Sequence, residues 1–250
     1  MIPVQVFGKK ARGRTPILLL HGWNGEWRSW YPVIEHLKPS EYLIVPTLPG
    51  FAGMTLIEPY TLEKYVRDVI AMLAELGVKK VMVIGHSLGG AIGAVLASQY
   101  PETVKKLVLV DASGIRPELS AARKIWTVAV KGVNAVLGLP GLLTIQPMLR
   151  KTLYSFGPFK HSDYADISND MLRETYLNII HDDISDRLVT VACPTLLVWG
   201  ENDTETPLWQ GKMMSALVPQ SRLVTIPGVS HFSYLEKPET FYTALKEFLA

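Results

Sequence analysis

Six short apolar runs bounded by turn residues punctuate the chain: TPILLL at 15–20, YLIVP at 42–46, KKVMVIG at 79–85, KLVLVD at 106–111, PTLLVWG at 194–200 and RLVTIPG at 222–228. Runs of this length with no polar alternation suit strands covered on both faces. Between them apolar positions recur at helical spacing, as over 61–76, where Thr61 can cap the start and Gly77 ends the run. Strands alternating with helices predict a mainly parallel sheet with helices on both sides. Over about 114–188 the strand signal stops. There Ile125, Val128, Val133 and Val136 share one helical face and Met171, Leu172, Thr175, Tyr176 and Ile179 another, with Ser168 placed to cap the second. This stretch is expected to be a helical cap inserted over the ends of the strands, where open parallel sheets bind ligands.

Composition narrows the picture without redirecting it. With 250 residues, 48% of them apolar, the chain suits one domain with one substantial core. A formal charge of +2, with basic residues scattered and no long basic run, excludes a nucleic-acid footprint. The longest uncharged run, 132–149, holds two prolines and several glycines, which excludes a spanning helix and stable membrane insertion. The first residues, MIPVQVFGKKARGR, lack the apolar stretch of a signal peptide, and the single Cys193 permits no internal disulfide and reads as core filler. A cytoplasmic location is therefore expected.

The strongest chemical signal is Gly85-His86-Ser87-Leu88-Gly89, a G-x-S-x-G between a strand and a helix of small residues. A serine pushed out of so tight a turn needs small neighbours two residues before and after it, and Gly85 and Gly89 supply them. Gly90, Ala91, Gly93 and Ala94 let the following helix approach the sheet. The helix N-terminus favours developing negative charge, and the backbone N–H of Leu88 is one donor for it.

A serine hydroxyl needs a base to take its proton and an acid to hold that base in one tautomer. His231, in IPGVSHFSYLEKPETF, lies between the last strand and the last helix, in which Pro238 suits the first turn and Phe241, Leu245 and Phe248 form the buried face. For the acid, GENDTETP offers Glu201, Asp203 and Glu205 at the same edge, and Asp111 ends a strand of its own. Asp203 is preferred, although spacing does not separate the four. The acidic stretch HDDISD at 181–186 reads as a solvated hinge, so no metal is assigned, and neither a dinucleotide glycine pattern nor another cofactor motif is present. Trp30, Trp126 and Trp209 read as packing residues.

The elbow GHSLGG, the loop GENDTETP and the segment GVSHFSYLEKP, in the order serine, acid, histidine, resemble the α/β-hydrolase family along nearly the whole chain. The resemblance implies a central eight-stranded, mostly parallel sheet flanked by helices, with a helical cap, and it selects Asp203. It also implies that the loop after the third strand gives the second oxyanion donor. His21-Gly22-Trp23 matches that loop, which makes the Trp23 N–H the donor, with Gly22 turning the chain inward and His21 bracing it. PTLPGFAGMTL departs from the family pattern, with Thr47 where Asp is common and Ala52 where Gly is. The resulting expectation is a cofactor-independent serine hydrolase acting on small-molecule esters with small or medium hydrophobic groups. Thioesters, amides and carbon–carbon bonds share the same triad, as would a slow-turnover ligand receptor, while serine in place of aspartate argues against dehalogenases and epoxide hydrolases.

Overall fold

A computed structural model of the chain describes residues 2–11, 13–116, 167 and 169–249. Its seven strands are β1 (Val4–Phe7), β2 (Ile17–Leu20), β3 (Leu43–Pro46), β4 (Val81–His86), β5 (Val104–Val110), β6 (Thr195–Gly200) and β7 (Ser221–Ile226). They form one sheet in the order β1-β3-β2-β4-β5-β6-β7. Only β1 runs antiparallel, pairing Val4 with Pro46 of β3. All six apolar runs are strands.

The described residues thus hold seven strands rather than eight, and the strand feeding His21 is second in chain order rather than third. Between β1 and β2 the described residues hold no further strand, and Gly8 and Gly13 there sit at positive φ, outside strand geometry. β1 itself escaped the sequence reading. It is an edge strand whose four residues are only half-buried or exposed, so its hydrophobic signal is weak.

Successive residues of each inner strand face opposite layers. Leu18, Leu20, Val83, Leu107, Leu109 and Leu197 pack with the helices α2 (Leu62–Glu75) and α3 (Leu88–Gln99). Ile17, Leu19, Ile84, Val108, Val110 and Val198 face the other way, against α1 (Tyr31–Leu37) and α8 (Pro238–Leu249). Thr61 caps α2 as its sequence implies, its side chain accepting from the Lys64 N–H at 3.3 Å. In α8, Phe241 and Leu245 are buried and Phe248 partly so. The remaining described α-helices are α4 (Asp170–Ile180), α5 (Ser185–Leu188), α6 (Leu208–Leu217) and α7 (Ser233–Glu236), and a 3-10 turn spans Trp27–Trp30.

Of the expected cap, residues 117–166 and 168 lie outside the described residues, and with them the face of Ile125, Val128, Val133 and Val136, Trp126, and the uncharged run 132–149. Its final helix, α4, is capped by Asn169, whose Oδ1 accepts from the Leu172 N–H at 3.1 Å, one residue beyond the expected Ser168. α4 turns Thr175 and Ile179 inward but leaves Met171 exposed. Cys193 is half-buried against the core rather than within it. Trp30 is fully buried, whereas Trp209 stays 40% exposed. No described helix is long and apolar enough to cross a membrane.

The departures in the loop after β3 are accommodated differently. Thr47 Oγ1 accepts from the Trp27 N–H at 3.3 Å, so this position keeps a polar bond. Ala52 is exposed and held at φ 51°, a left-handed conformation that suits glycine better. Ala52→Gly is expected to stabilise the fold by about 0.5–1 kcal/mol, read as a higher urea midpoint at unchanged slope.

Candidate active site

The chain leaves β2 toward β3 on one side and returns to β4 on the other. Such a reversal opens a crevice at the carboxyl edge of the sheet. Leu20 stands opposite Gly85 in the β2–β4 register, so the turns after these strands flank the crevice. Ser87 occupies the second turn at φ 49°, ψ −114°. Holding a non-glycine residue in that region costs on the order of 1–3 kcal/mol, and the surrounding backbone imposes it. The Ser87 N–H donates to Val110 O at 3.0 Å, and Ser87 O accepts from the N–H groups of Gly90, Ala91 and Ser113 at 2.9, 3.1 and 3.1 Å. A Cβ on Gly85 would lie 2.2 Å from Gly89 O, and one on Gly89 would lie 2.1 Å from Leu20 O. Both positions admit only glycine. Across residues 81–97 every residue is buried except Ser87.

The turn after β2 comes against this elbow. A Cβ on Gly22 would lie 2.8 Å from His86 Nδ1 and 3.2 Å from Ser87 Cβ, so the missing side chain is what lets the two turns touch. His21 braces the loop. Its Nε2 accepts from the Leu48 N–H at 2.9 Å, which leaves Nδ1 to donate to Gly22 O at 2.8 Å. Burial pushes its pKa down to about 4, against the opposing pull of the Gly22 carbonyl and Glu26, so the ring stays neutral. The Trp23 ring meets Phe51 and Tyr176 edge-on, each at 5.0 Å between centroids. The backbone N–H groups of Trp23 and of buried Leu88 have no hydrogen-bond partner among the described residues. Buried N–H groups are seldom left so.

The candidate acid and base meet at the same edge. Asp203, in the loop after β6, lies with Oδ2 2.8 Å from His231 Nδ1 in the loop after β7. The carboxylate side chain is fully buried and the imidazole 13% exposed. Asp203 Oδ1 accepts from the N–H groups of Glu205 and Thr206 at 2.8 and 2.9 Å, and Oδ2 takes the Thr206 hydroxyl at 2.7 Å. Burial works against the charged carboxylate, but the His231 and Thr206 groups outweigh it and hold Asp203 below its ordinary range. Burial likewise works against protonated His231, and the Asp203 carboxylate outweighs it, with Asp111 and Glu205 adding to the rise. Nδ1 is the donor to Asp203, and Nε2 takes no partner among the described residues.

The other three acids separate from Asp203. Glu201 accepts from the Gly228 N–H at 3.1 Å and remains exposed, as does Glu205. Asp111 is fully buried and serves the loops instead, with Oδ1 accepting from the Gly200 N–H at 2.7 Å and Oδ2 from the Ser233 N–H at 3.2 Å. Burial raises its pKa to about 7, against those hydrogen bonds and with the nearby Asp203 charge adding to the rise. Sequence reasoning missed Thr206, which grips Asp203 and also stands 3.0 Å from Asp111 O. A hydroxyl three residues after an aspartate was the available signal, because such a pair closes a side-chain turn. In 181–186, Asp182 pairs with Arg187, while Asp183 accepts from the Ser185 and Arg116 N–H groups. Among the described residues no group of three or more His, Cys, Asp or Glu could hold a metal ion.

An open-edged parallel sheet with a strained serine elbow and an aspartate–histidine pair at its carboxyl edge defines a hydrolase class. A profile of the alpha/beta hydrolase family matches residues 17–244, and the chain belongs to that family, whose members are hydrolases. It is 25% identical to a 2-hydroxy-6-oxo-6-phenylhexa-2,4-dienoate hydrolase of Burkholderia cepacia over 94% of this chain and 87% of that one. It is 27% identical to a pimeloyl-[acyl-carrier protein] methyl ester esterase of Edwardsiella ictaluri, over 94% and 93%. The crystal structure of a hydrolase from Pseudomonas aeruginosa shares the fold, with a TM-score of 0.74 at 23% identity over 100% of this chain and 94% of that one.

The Asp203–His231 bond sets a titration test. His231 is expected to titrate above 6.5, and Asp203→Asn to bring its midpoint down, by nitrogen-15 spectra of the imidazole. The pair's contribution to stability is lost as pH rises through the raised His231 value, and is lost again as pH falls through the lowered Asp203 value.

Proposed function

We propose that this protein is a serine hydrolase that cleaves carboxylic esters carrying small or medium hydrophobic groups, through an acyl-enzyme. The observation that carries the reading is Ser87 itself, the one residue of 81–97 that is not buried, held at φ 49° on the edge where His231 meets Asp203. In the proposed reaction the Ser87 hydroxyl attacks the ester carbonyl while His231 Nε2 takes its proton. The carbonyl oxygen, now an oxyanion, accepts from the Trp23 and Leu88 N–H groups, both unpartnered among the described residues. His231 then returns the proton to the departing alcohol and the tetrahedral intermediate collapses to the acyl-serine. Water, deprotonated by the same imidazole, repeats the attack and frees Ser87. Asp203 keeps Nδ1–H pointed at itself and stabilises the imidazolium formed in each half.

The hydrophobic preference is supported by the walls near the elbow. Phe51, Leu88 and the half-buried Trp23, Leu172 and Tyr176 are apolar or aromatic. Relatives at similar identity are named for a methyl ester and for a 2-hydroxy-6-oxo-6-phenylhexa-2,4-dienoate, so the substrate class is tested rather than assumed.

Turnover of p-nitrophenyl acetate and butyrate is expected, with Ser87→Ala lowering kcat by about 10⁵-fold or more and Asp203→Asn by about a thousandfold or more. A chain-length series of esters, matched thioesters and a vinylogous diketone would locate the preference, and full activity in Ser87→Ala would overturn the assignment. Because only neutral His231 accepts a proton and Asp203 raises its pKa, kcat/KM is expected to fall on the acid side with a midpoint above 6.5.

A further inference from the structure

His86 ends β4 and is the covalent neighbour of Ser87. Its ring is 3% exposed, yet it does not merely fill space. His86 Nε2 lies 2.8 Å from the backbone oxygen of His231. A carbonyl only accepts, so Nε2 carries the ring proton and Nδ1 is the lone-pair nitrogen. The Nδ1 side is closed by Gly22, where a Cβ would stand 2.8 Å away. The remaining faces meet Trp30 at 6.4 Å, Tyr234 at 5.3 Å, Phe232 at 5.1 Å and the His231 ring at 4.8 Å between centroids. An aromatic hydrocarbon would satisfy every one of these contacts except the hydrogen bond. Burial first, and then the neighbouring His231, hold the His86 pKa down to about 3, so the donor persists wherever His231 itself is neutral.

We propose that His86 is a positioning residue for His231. Its Nε2–H···O bond ties the backbone of the base to the residue that carries the nucleophile, so one rigid side chain sets the Ser87–His231 separation. The other ties on the loop after β7, from Asp203 to the His231 ring and from Asp111 to the Ser233 N–H, run to the loops after β6 and β5 and not to the residue beside Ser87. This inference rests on the reading of Ser87 and His231 as nucleophile and base.

Two variants test it. His86→Phe keeps a ring in the aromatic cluster and removes the N–H, while His86→Gln brings an amide N–H to nearly the same place. The Phe variant is expected to lose about 10- to 100-fold in kcat with KM within about threefold, and to lose a similar factor in the rate at which a serine-reactive phosphonate labels Ser87. The Gln variant should recover most of both. A folded His86→Phe protein with wild-type kcat and labelling rate would overturn the proposal, as would a loss that Gln leaves unrepaired at a native melting temperature. Nitrogen-15 spectra of the wild-type protein supply a check that needs no variant, since a His86 ring protonated at Nδ1 rather than Nε2 between about pH 5 and 8 would also overturn it. Ser87→Ala, run alongside, separates the claims. Retained turnover there removes the serine assignment, whereas loss there with an unaffected His86→Phe removes only the positioning role.

Discussion

A serine held at φ 49° between β4 and α3 is the constraint around which the rest of the site is arranged. Left to itself the residue would relax to an ordinary conformation. The Val110 carbonyl on one side and three N–H donors on the other deny it that escape. The glycines follow from the same closeness, because the elbow works only if the backbone of Gly89 lies against that of Gly85 and of Leu20. Strain at one residue is thereby maintained by packing across three elements, and the outcome is a single accessible position in an otherwise closed segment.

Burial then decides which groups near Ser87 bear charge. His21 and His86 are driven neutral, each fixed in one tautomer by a backbone partner. Asp203 is kept ionised because it accepts two backbone N–H bonds, a hydroxyl and the imidazole, enough to overcome its desolvation. Asp111 has only two N–H donors and no cationic partner among its hydrogen bonds, and its carboxyl rises instead. Two buried aspartates in one neighbourhood are therefore distinguished by their donors.

That distinction marks how far the sequence could be read. The strands, the elbow and the edge at which His231 falls were legible, because each rests on a local pattern: an apolar run, a pair of glycines, a position between strand and helix. The identity of the acid was legible only through the family resemblance, not from local pattern. Glu201, Asp203, Glu205 and Asp111 all follow strands of the same direction, and only the fold of GENDTETP turns one carboxylate inward onto His231. β1 was hidden by its half-exposed edge position. Thr206 and His86 were in plain view within motifs already singled out, but their roles depend on partners far along the chain: Asp111 O for the first, His231 O for the second.

The direction of the strands explains why these distant residues converge. β2 and β4 to β7 are parallel, so the loops carrying Trp23, Ser87, Asp111, Asp203 and His231 all leave the sheet at one edge. A cavity of about 630 Å³ lies among residues that precede or begin β2, β4 and β5, lined by Arg14, Thr15, Met82, Lys105 and Lys106. It therefore belongs to the opposite edge, where Lys106 is occupied with the Phe248 carbonyl and Arg14 with Glu41. The carboxyl edge differs because loop after loop delivers a polar group to it, and because His86 and Asp111 bind the ends of those loops to one another.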